Sequence, residues 1–157
     1  MDGREFLQTK SQSYDVIVMN DVFEHIPVDE AENMLSLLKN ALVPGGTLVL
    51  RVPNMSNILG AYSRFIDITH VTGYTEESLQ QLLTLAGFRN HTLVLPPKGF
   101  VWRSWRPWAP WCGWNLRDLL NTCLHRFLFF LRYSKAPQCV TKNIEVYTHR
   151  PLEDPPA

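Results

Sequence analysis

The tightest constraint on this chain is the order of three segments near its start. Residues 14–19, Tyr-Asp-Val-Ile-Val-Met, are a short apolar run rich in β-branched side chains, the composition of a strand in the middle of a sheet with both faces covered. After Pro27, Ala31, Met34, Leu35, Leu38 and Leu42 recur at helical spacing, with Asp29, Glu30 and Glu32 at the start, where they complement the helix dipole. Pro44-Gly45-Gly46 is expected to end that helix, and Thr47-Leu-Val-Leu-Arg-Val52 reads as a second apolar strand. Strand, helix and strand within about forty residues fit a right-handed βαβ crossover, so the fold class is α/β.

The pattern continues downstream. Thr75 followed by Glu76, Glu77 and Ser78 reads as a helix N-cap, Leu79, Leu82, Leu83 and Ala86 as the apolar stripe, and Gly87 as the stop. Arg89 to Leu95 is expected to be a third strand. Between Pro96 and Trp114, Pro96, Pro97, Gly99, Pro107, Pro110 and Gly113 exclude a continuous helix or central strand. Leu116 to Leu131 then has the spacing of an amphipathic helix, with His125 and Arg126 on its polar side. Asn143 to Thr148 alternates polar and apolar residues as an edge or antiparallel strand does, and Pro151, Pro155 and Pro156 mark a frayed tail.

Composition sets the remaining bounds. At 157 residues and 45% hydrophobic, the chain suits one modest core. Its zero net charge conceals −5 over residues 1–97 and +5 over residues 98–157, so the two stretches face different surroundings. Cys112, Cys123 and Cys139 are odd in number and lack CxxC spacing, which disfavours a disulfide framework or zinc cluster and suits the cytoplasm. No signal peptide and no uncharged apolar run of spanning length is evident.

Three stretches in this order, Tyr-Asp-Val-Ile-Val-Met-Asn-Asp-Val-Phe-Glu-His-Ile (14–26), Leu-Val-Pro-Gly-Gly-Thr-Leu-Val-Leu-Arg-Val-Pro (42–53) and Tyr-Thr-Glu-Glu-Ser-Leu-Gln-Gln-Leu-Leu-Thr-Leu-Ala-Gly-Phe (74–88), carry a family resemblance. Together they resemble strands four and five and the following helix of the class I, Rossmann-like S-adenosylmethionine-dependent methyltransferases. The resemblance implies a partial Rossmann-like methyltransferase sheet, strands four onward, with flanking helices and a Trp-rich, amphipathic C-terminal segment. The family's GxGxG-like loop, its ribose-holding acidic residue and its first three strands have no counterpart here. The chain is therefore expected to be the C-terminal half of such a domain: residues 1–97 in the sheet, 98–135 as a lid or interfacial segment, 136–157 as a last strand and tail. A partner chain completing the sheet is an expectation of the same reading, because an exposed parallel edge is normally covered.

Site residues follow from the resemblance and from the rule that ligands of open α/β sheets lie outside the carboxyl ends of the strands. Asn20, Asp21 and Val22 are expected to line the methionine part of S-adenosylmethionine, and Asp2 and Gly3 to meet its adenine. His70, with Asp67 in the Asp-Ile-Thr-His stretch, and His25 are candidates for a general base on an acceptor hydroxyl. Asp21, Glu24, His25 and His70 also resemble the set with which small-RNA 2′-O-methyltransferases and some ubiquinone-pathway O-methyltransferases hold a divalent metal. Metal dependence is nevertheless not expected, since Glu-His after this strand occurs in many metal-free members and Asp stands where Glu is usual. Activity is expected to be methyl transfer to a small-molecule or saccharide hydroxyl, with a non-catalytic, partner-requiring binding module as the alternative.

Trp102, Trp105, Trp108, Trp111 and Trp114 recur every third residue and, with nearby arginines and the helix that follows, give residues 102–131 the composition of a peripheral membrane contact or of an acceptor-pocket lid. No nucleic-acid motif is present, so nucleic acid is not an expected partner.

Overall fold

The computed structural model describes residues 3–95, 116–133 and 137–153, with the backbone alone at 116–119. Asp2 and the tryptophans at 102–114 lie outside the described residues.

The first crossover forms as the sequence demands. Strand β1 (Tyr14–Asn20) leads through a 3₁₀ turn (Phe23–His25) into helix α2 (Val28–Ala41) and strand β2 (Leu42–Pro53), which pairs parallel to β1; a short helix α1 (Gly3–Gln8) precedes them. Helix α3 (Gly60–Phe65) and helix α4 (Glu76–Leu85) follow, then strand β3 (Arg89–Leu93), helix α5 (Leu116–Tyr133) and strand β4 (Asn143–His149). The sheet order is β1-β2-β4-β3, with β4 antiparallel to both neighbours. The last strand is thus antiparallel, as its alternation suggested, yet interior.

One face of the sheet makes the core. Ile17 and Met19 of β1, Leu48, Leu50 and Val52 of β2, and Ile144 and Val146 of β4 pack with Ala31, Leu35 and Leu38 of α2 and with Leu79 and Leu83 of α4. Thr75 caps α4: its hydroxyl accepts from Ser78 N at 3.2 Å while Ser78 Oγ accepts from Thr75 N at 2.9 Å, an arrangement worth about 1 kcal/mol. Gly87, at φ +84, ends the helix.

Three expectations are corrected. Pro44-Gly45-Gly46 does not terminate α2, which ends at Ala41 because Leu42, fully buried, is drawn into pairing with Tyr14. The Pro-Gly-Gly stretch is instead a bulge inside β2: the partners step from Tyr14↔Leu42 to Val16↔Thr47, and Gly45 takes φ 78. Strand β1 is not covered on both sides among the described residues. It is an edge strand whose Val16 and Val18 stand 55% and 57% exposed on the face opposite the core. On α5, the buried side chain is His125, at 1% exposure, read from the sequence as polar-side, while Leu124, Phe127 and Leu131 are exposed. Its ring bridges two elements, with Nε2 accepting from Ile58 N at 2.7 Å and Nδ1 donating to Asn121 O at 2.8 Å. A two-sided hydrogen bond of this kind outweighs the helix's apolar pattern.

Candidate functional site at the ends of the parallel strands

The chain leaves β1 through Asp21, whose φ of 51 is left-handed and whose N–H donates to Arg51 O at 3.0 Å. This turns the backbone sharply at the carboxyl end of the parallel pair. Asn20, Asp21 and Val22 are all exposed there. Phe23 then drops into the core, fully buried and stacked on Tyr74 with ring centroids 5.4 Å apart. With Phe23 fixed, the 3₁₀ turn presents Glu24 and His25 to the segment that follows β2.

That segment is tied to the turn by backbone. Val71 N and Thr72 N both donate to Glu24 O at 3.0 Å, and Thr72 Oγ1 donates to Ile26 O at 2.7 Å. His70 is thereby brought over Glu24, its Nε2 lying 3.8 Å from Glu24 Oε1, and the His25 and His70 rings meet edge-on at 4.8 Å between centroids. His70 Nδ1 lies 2.9 Å from Ser63 O and His25 Nδ1 lies 3.1 Å from Thr69 O. A carbonyl only accepts, so each ring carries its proton on Nδ1 and, when neutral, offers a lone pair at Nε2.

Glu24 is the most constrained group of the set. Its side chain is 2% exposed and neither carboxylate oxygen has a hydrogen-bond partner. Burial pushes its carboxyl above the ordinary value, with the charge of Asp21 acting in the same direction and His25 and His70 opposing. Because the folded-state pKa is the higher one, Glu24 favours folding most below the usual carboxyl range. That contribution is lost as pH rises through the shifted value.

An open cleft of about 160 Å³ adjoins this group, lined among others by Asp21, Glu24, Arg51, Tyr62, Ser63 and His70. Arg51 Nη2 lies 3.5 Å from Asp21 Oδ2; with the Asn143 amide turned so that its oxygen faces the guanidinium, that oxygen accepts from Arg51 Nη2 at 2.7 Å and Nε at 2.9 Å. Lys142 completes the rim.

Of the residues singled out from the sequence, the structure brings His25, His70 and Glu24 together and sets Asn20, Asp21 and Val22 beside them. Asp67 is not in the cleft. Its Oδ1 accepts from Thr69 N and Thr69 Oγ1 at 2.8 and 2.6 Å, and Thr69 Oγ1 in turn lies 2.9 Å from His25 Nδ1. Those two hydrogen bonds from Thr69 hold the Asp67 carboxyl below its usual range. Gly3 opens α1, which packs along α2 through an Arg4–Glu30 ion pair, and has open space about it. Arg51, Tyr62, Thr69, Lys142 and Asn143 were not anticipated. Only Arg51, a charge at the end of an otherwise apolar strand, carried a sequence signal.

The Methyltransferase domain family model matches residues 2–93, well over half of the chain. The chain belongs to the methyltransferase-domain family. S-adenosylmethionine is accordingly its expected cofactor. Among solved structures, a SAM-dependent methyltransferase from Archaeoglobus fulgidus superposes with a TM-score of 0.63 at 17% identity, over 95% of this chain and 65% of that one. A Thermotoga maritima SAM-dependent methyltransferase, described as a possible histamine N-methyltransferase, gives 0.57 at 15%, over 90% and 57%. A Haloferax volcanii complex between the Trm112 methyltransferase activator and a methyltransferase gives 0.57 at 12%, over 90% and 56%. These likenesses establish the Rossmann-like methyltransferase fold, and this methyltransferase-domain chain spans about two thirds or less of their lengths. No curated protein sequence matches it. Among the described residues no helix is long and apolar enough to cross a membrane.

Proposed function

We propose that this chain forms the acceptor side of an S-adenosylmethionine-dependent methyltransferase acting on a hydroxyl of a small molecule or saccharide. The observation that carries the proposal is the clustering of Glu24, His25 and His70, with Glu24 and His70 lining a cleft that also holds Asp21 from the exposed end of β1. Asn20, Asp21 and Val22 hold the methionine part of the cofactor, with Gly3, and Asp2 outside the described residues, assigned to the adenine. When bound, S-adenosylmethionine supplies an electrophilic methyl group. His70 takes the proton of the acceptor hydroxyl at Nε2, while Ser63 O keeps the ring oriented through Nδ1. Glu24 stabilises the resulting imidazolium from 3.8 Å. Asp67 is a positioning residue, acting on His25 through Thr69.

Asp21→Ala is expected to raise the KM for S-adenosylmethionine by about tenfold with kcat near the parent value, the pattern of a lost binding contact that does not act on the barrier. Initial-rate kinetics check it; a fall in kcat at unchanged KM would move the cofactor away from the end of β1.

Residues 98–135, of which 98–115 and 134–135 lie outside the described residues, we assign as a lid or interfacial segment with peripheral membrane contact, a reading supported by the exposed Phe127, Phe130 and Leu131 of α5. A second reading, a non-catalytic module that pairs with another chain, is favoured by the β1 edge, uncovered among the described residues, and by the exposed Val16 and Val18. Under that reading the intact protein transfers no methyl group, and light scattering shows a stable complex with a second chain.

A further inference from the structure

We propose that His125 of α5 is a positioning residue for His70, acting through Ile58 and helix α3. Of the α5 side chains described, only His125 is buried; the others are half-buried or exposed. An imidazole is costly to bury unless both ring nitrogens find partners. Both do: Nδ1 donates to Asn121 O at 2.8 Å and Nε2 accepts from Ile58 N at 2.7 Å. Among the described residues α5 adds nothing to the core that packs on the sheet. What the ring secures is therefore the join between α5 and the chain at Ile58.

Ile58 leads directly into α3. Asn57 fixes the entry, its Oδ1 accepting from Leu59 N at 2.8 Å and its carbonyl from Gly60 N at 2.7 Å. Within α3, Ser63 O accepts from His70 Nδ1 at 2.9 Å and Arg64 Nη2 donates to Val71 O at 2.9 Å, so this short helix holds the segment that bears the base. From Ile58 to Ser63 is about 7.5 Å at the rise of an α-helix, less than two turns. A displacement at Ile58 therefore reaches Ser63 with little damping.

His70 is used through Nε2, and the bond from Nδ1 to Ser63 O sets where that lone pair points. The 3₁₀ turn holds the same segment from the other side, through Val71 N and Glu24 O. The ring is thus set between two supports, and α5 governs one of them. Misplacing a reacting group by about 1 Å can cost about 100-fold in rate. His125 is not among the residues that line the cleft, so it acts on the base only through this route. Its effect on rate rests on the proposed role of His70; the linkage from α5 to the His70 ring does not.

Two substitutions in the intact protein separate the hydrogen bond from the bulk of the ring. His125→Gln places an amide oxygen near the position of Nε2 and keeps an acceptor for Ile58 N; His125→Phe keeps a ring and removes the acceptor. Ring ¹⁵N resonances report the tautomer of His70, assigned by their absence in His70→Ala, while amide exchange in β2 and β4 verifies that the sheet is intact. The expected result is a parental His70 signal in His125→Gln, with Nδ1 protonated. In His125→Phe the signal moves toward the tautomer mixture of a free imidazole, and Ile58 N–H exchanges about tenfold faster or more. Initial rates should show kcat lowered about tenfold in His125→Phe at unchanged KM for S-adenosylmethionine, and within about twofold of the parent in His125→Gln. A role in packing alone predicts the reverse, a parental His125→Phe and a displaced His125→Gln. That reverse result, unchanged His70 signals in His125→Phe, or equal displacement in both variants overturns the proposal; should His125→Phe not fold, His125→Ala takes its place in the comparison. A displaced His70 ring in a protein that transfers no methyl group would sink the proposed function and leave the linkage standing.

Discussion

His70→Ala lowers kcat by about 10² to 10⁴-fold, the usual worth of a positioned acid–base group, while the affinity for S-adenosylmethionine stays within about twofold. The expectation follows from position: His70 sits over Glu24 on the acceptor side, held by Ser63 O, while the residues assigned to the cofactor lie at the end of β1. His70→Gln keeps a polar atom near the Nε2 position but has no titratable lone pair, so it should be nearly as slow. Steady-state kinetics with calorimetric cofactor binding separate the two effects. A His70→Ala enzyme within about threefold of parent kcat would show that the cluster does not serve the reaction.

The second large effect is on the fold that carries the site. Phe23→Ala is expected to cost about 3–5 kcal/mol of unfolding free energy, the range for truncating a buried aromatic. Phe23 is fully buried and stacks on Tyr74. Tyr74 in turn accepts from Met55 N across the bridge that ties the segment after β2 to the start of α4. The ring thus secures both walls of the cleft, the turn bearing Glu24 and His25 and the segment leading to His70. Phe23→Leu, which keeps most of the volume, should cost less than about 1.5 kcal/mol. Urea unfolding monitored by circular dichroism measures both. A loss below about 1 kcal/mol for Phe23→Ala would mean that the turn is held in place by other contacts.

What the sequence made legible was set by periodicity. The crossover from Tyr14 to Val52, the capped helix beginning at Thr75 and the alternating strand at Asn143 each bury one face, and burial on one face writes a period into the chain. The Pro-Gly-Gly bulge was misread as a helix stop because glycine marks a positive φ without saying whether a turn or a bulge requires it. Short α1 and α3 have too few residues for a stripe, and His125 was assigned to the polar side because a buried histidine satisfied by Ile58 N and Asn121 O leaves no local pattern.

The candidate site was legible to a similar degree. Asp21, Glu24, His25 and His70 could be named together through resemblance. Only folding showed that Glu24 is orphaned, that Asp21 turns to Arg51 and that Asp67 acts at one remove. Lys142 and Asn143 come from the far end of the chain, at the start of a strand inserted between β2 and β3. No spacing rule connects them to His70.

The central claim is that the cofactor sits at the carboxyl ends of β1 and β2, beside the Glu24–His25–His70 cluster. Amide hydrogen exchange of the intact protein, with and without saturating S-adenosylhomocysteine, tests it most directly. Slowed exchange at residues 20–26, with α4 at Glu76–Leu85 unchanged, is the predicted result. Protection elsewhere in the chain with residues 20–26 unaffected would contradict it.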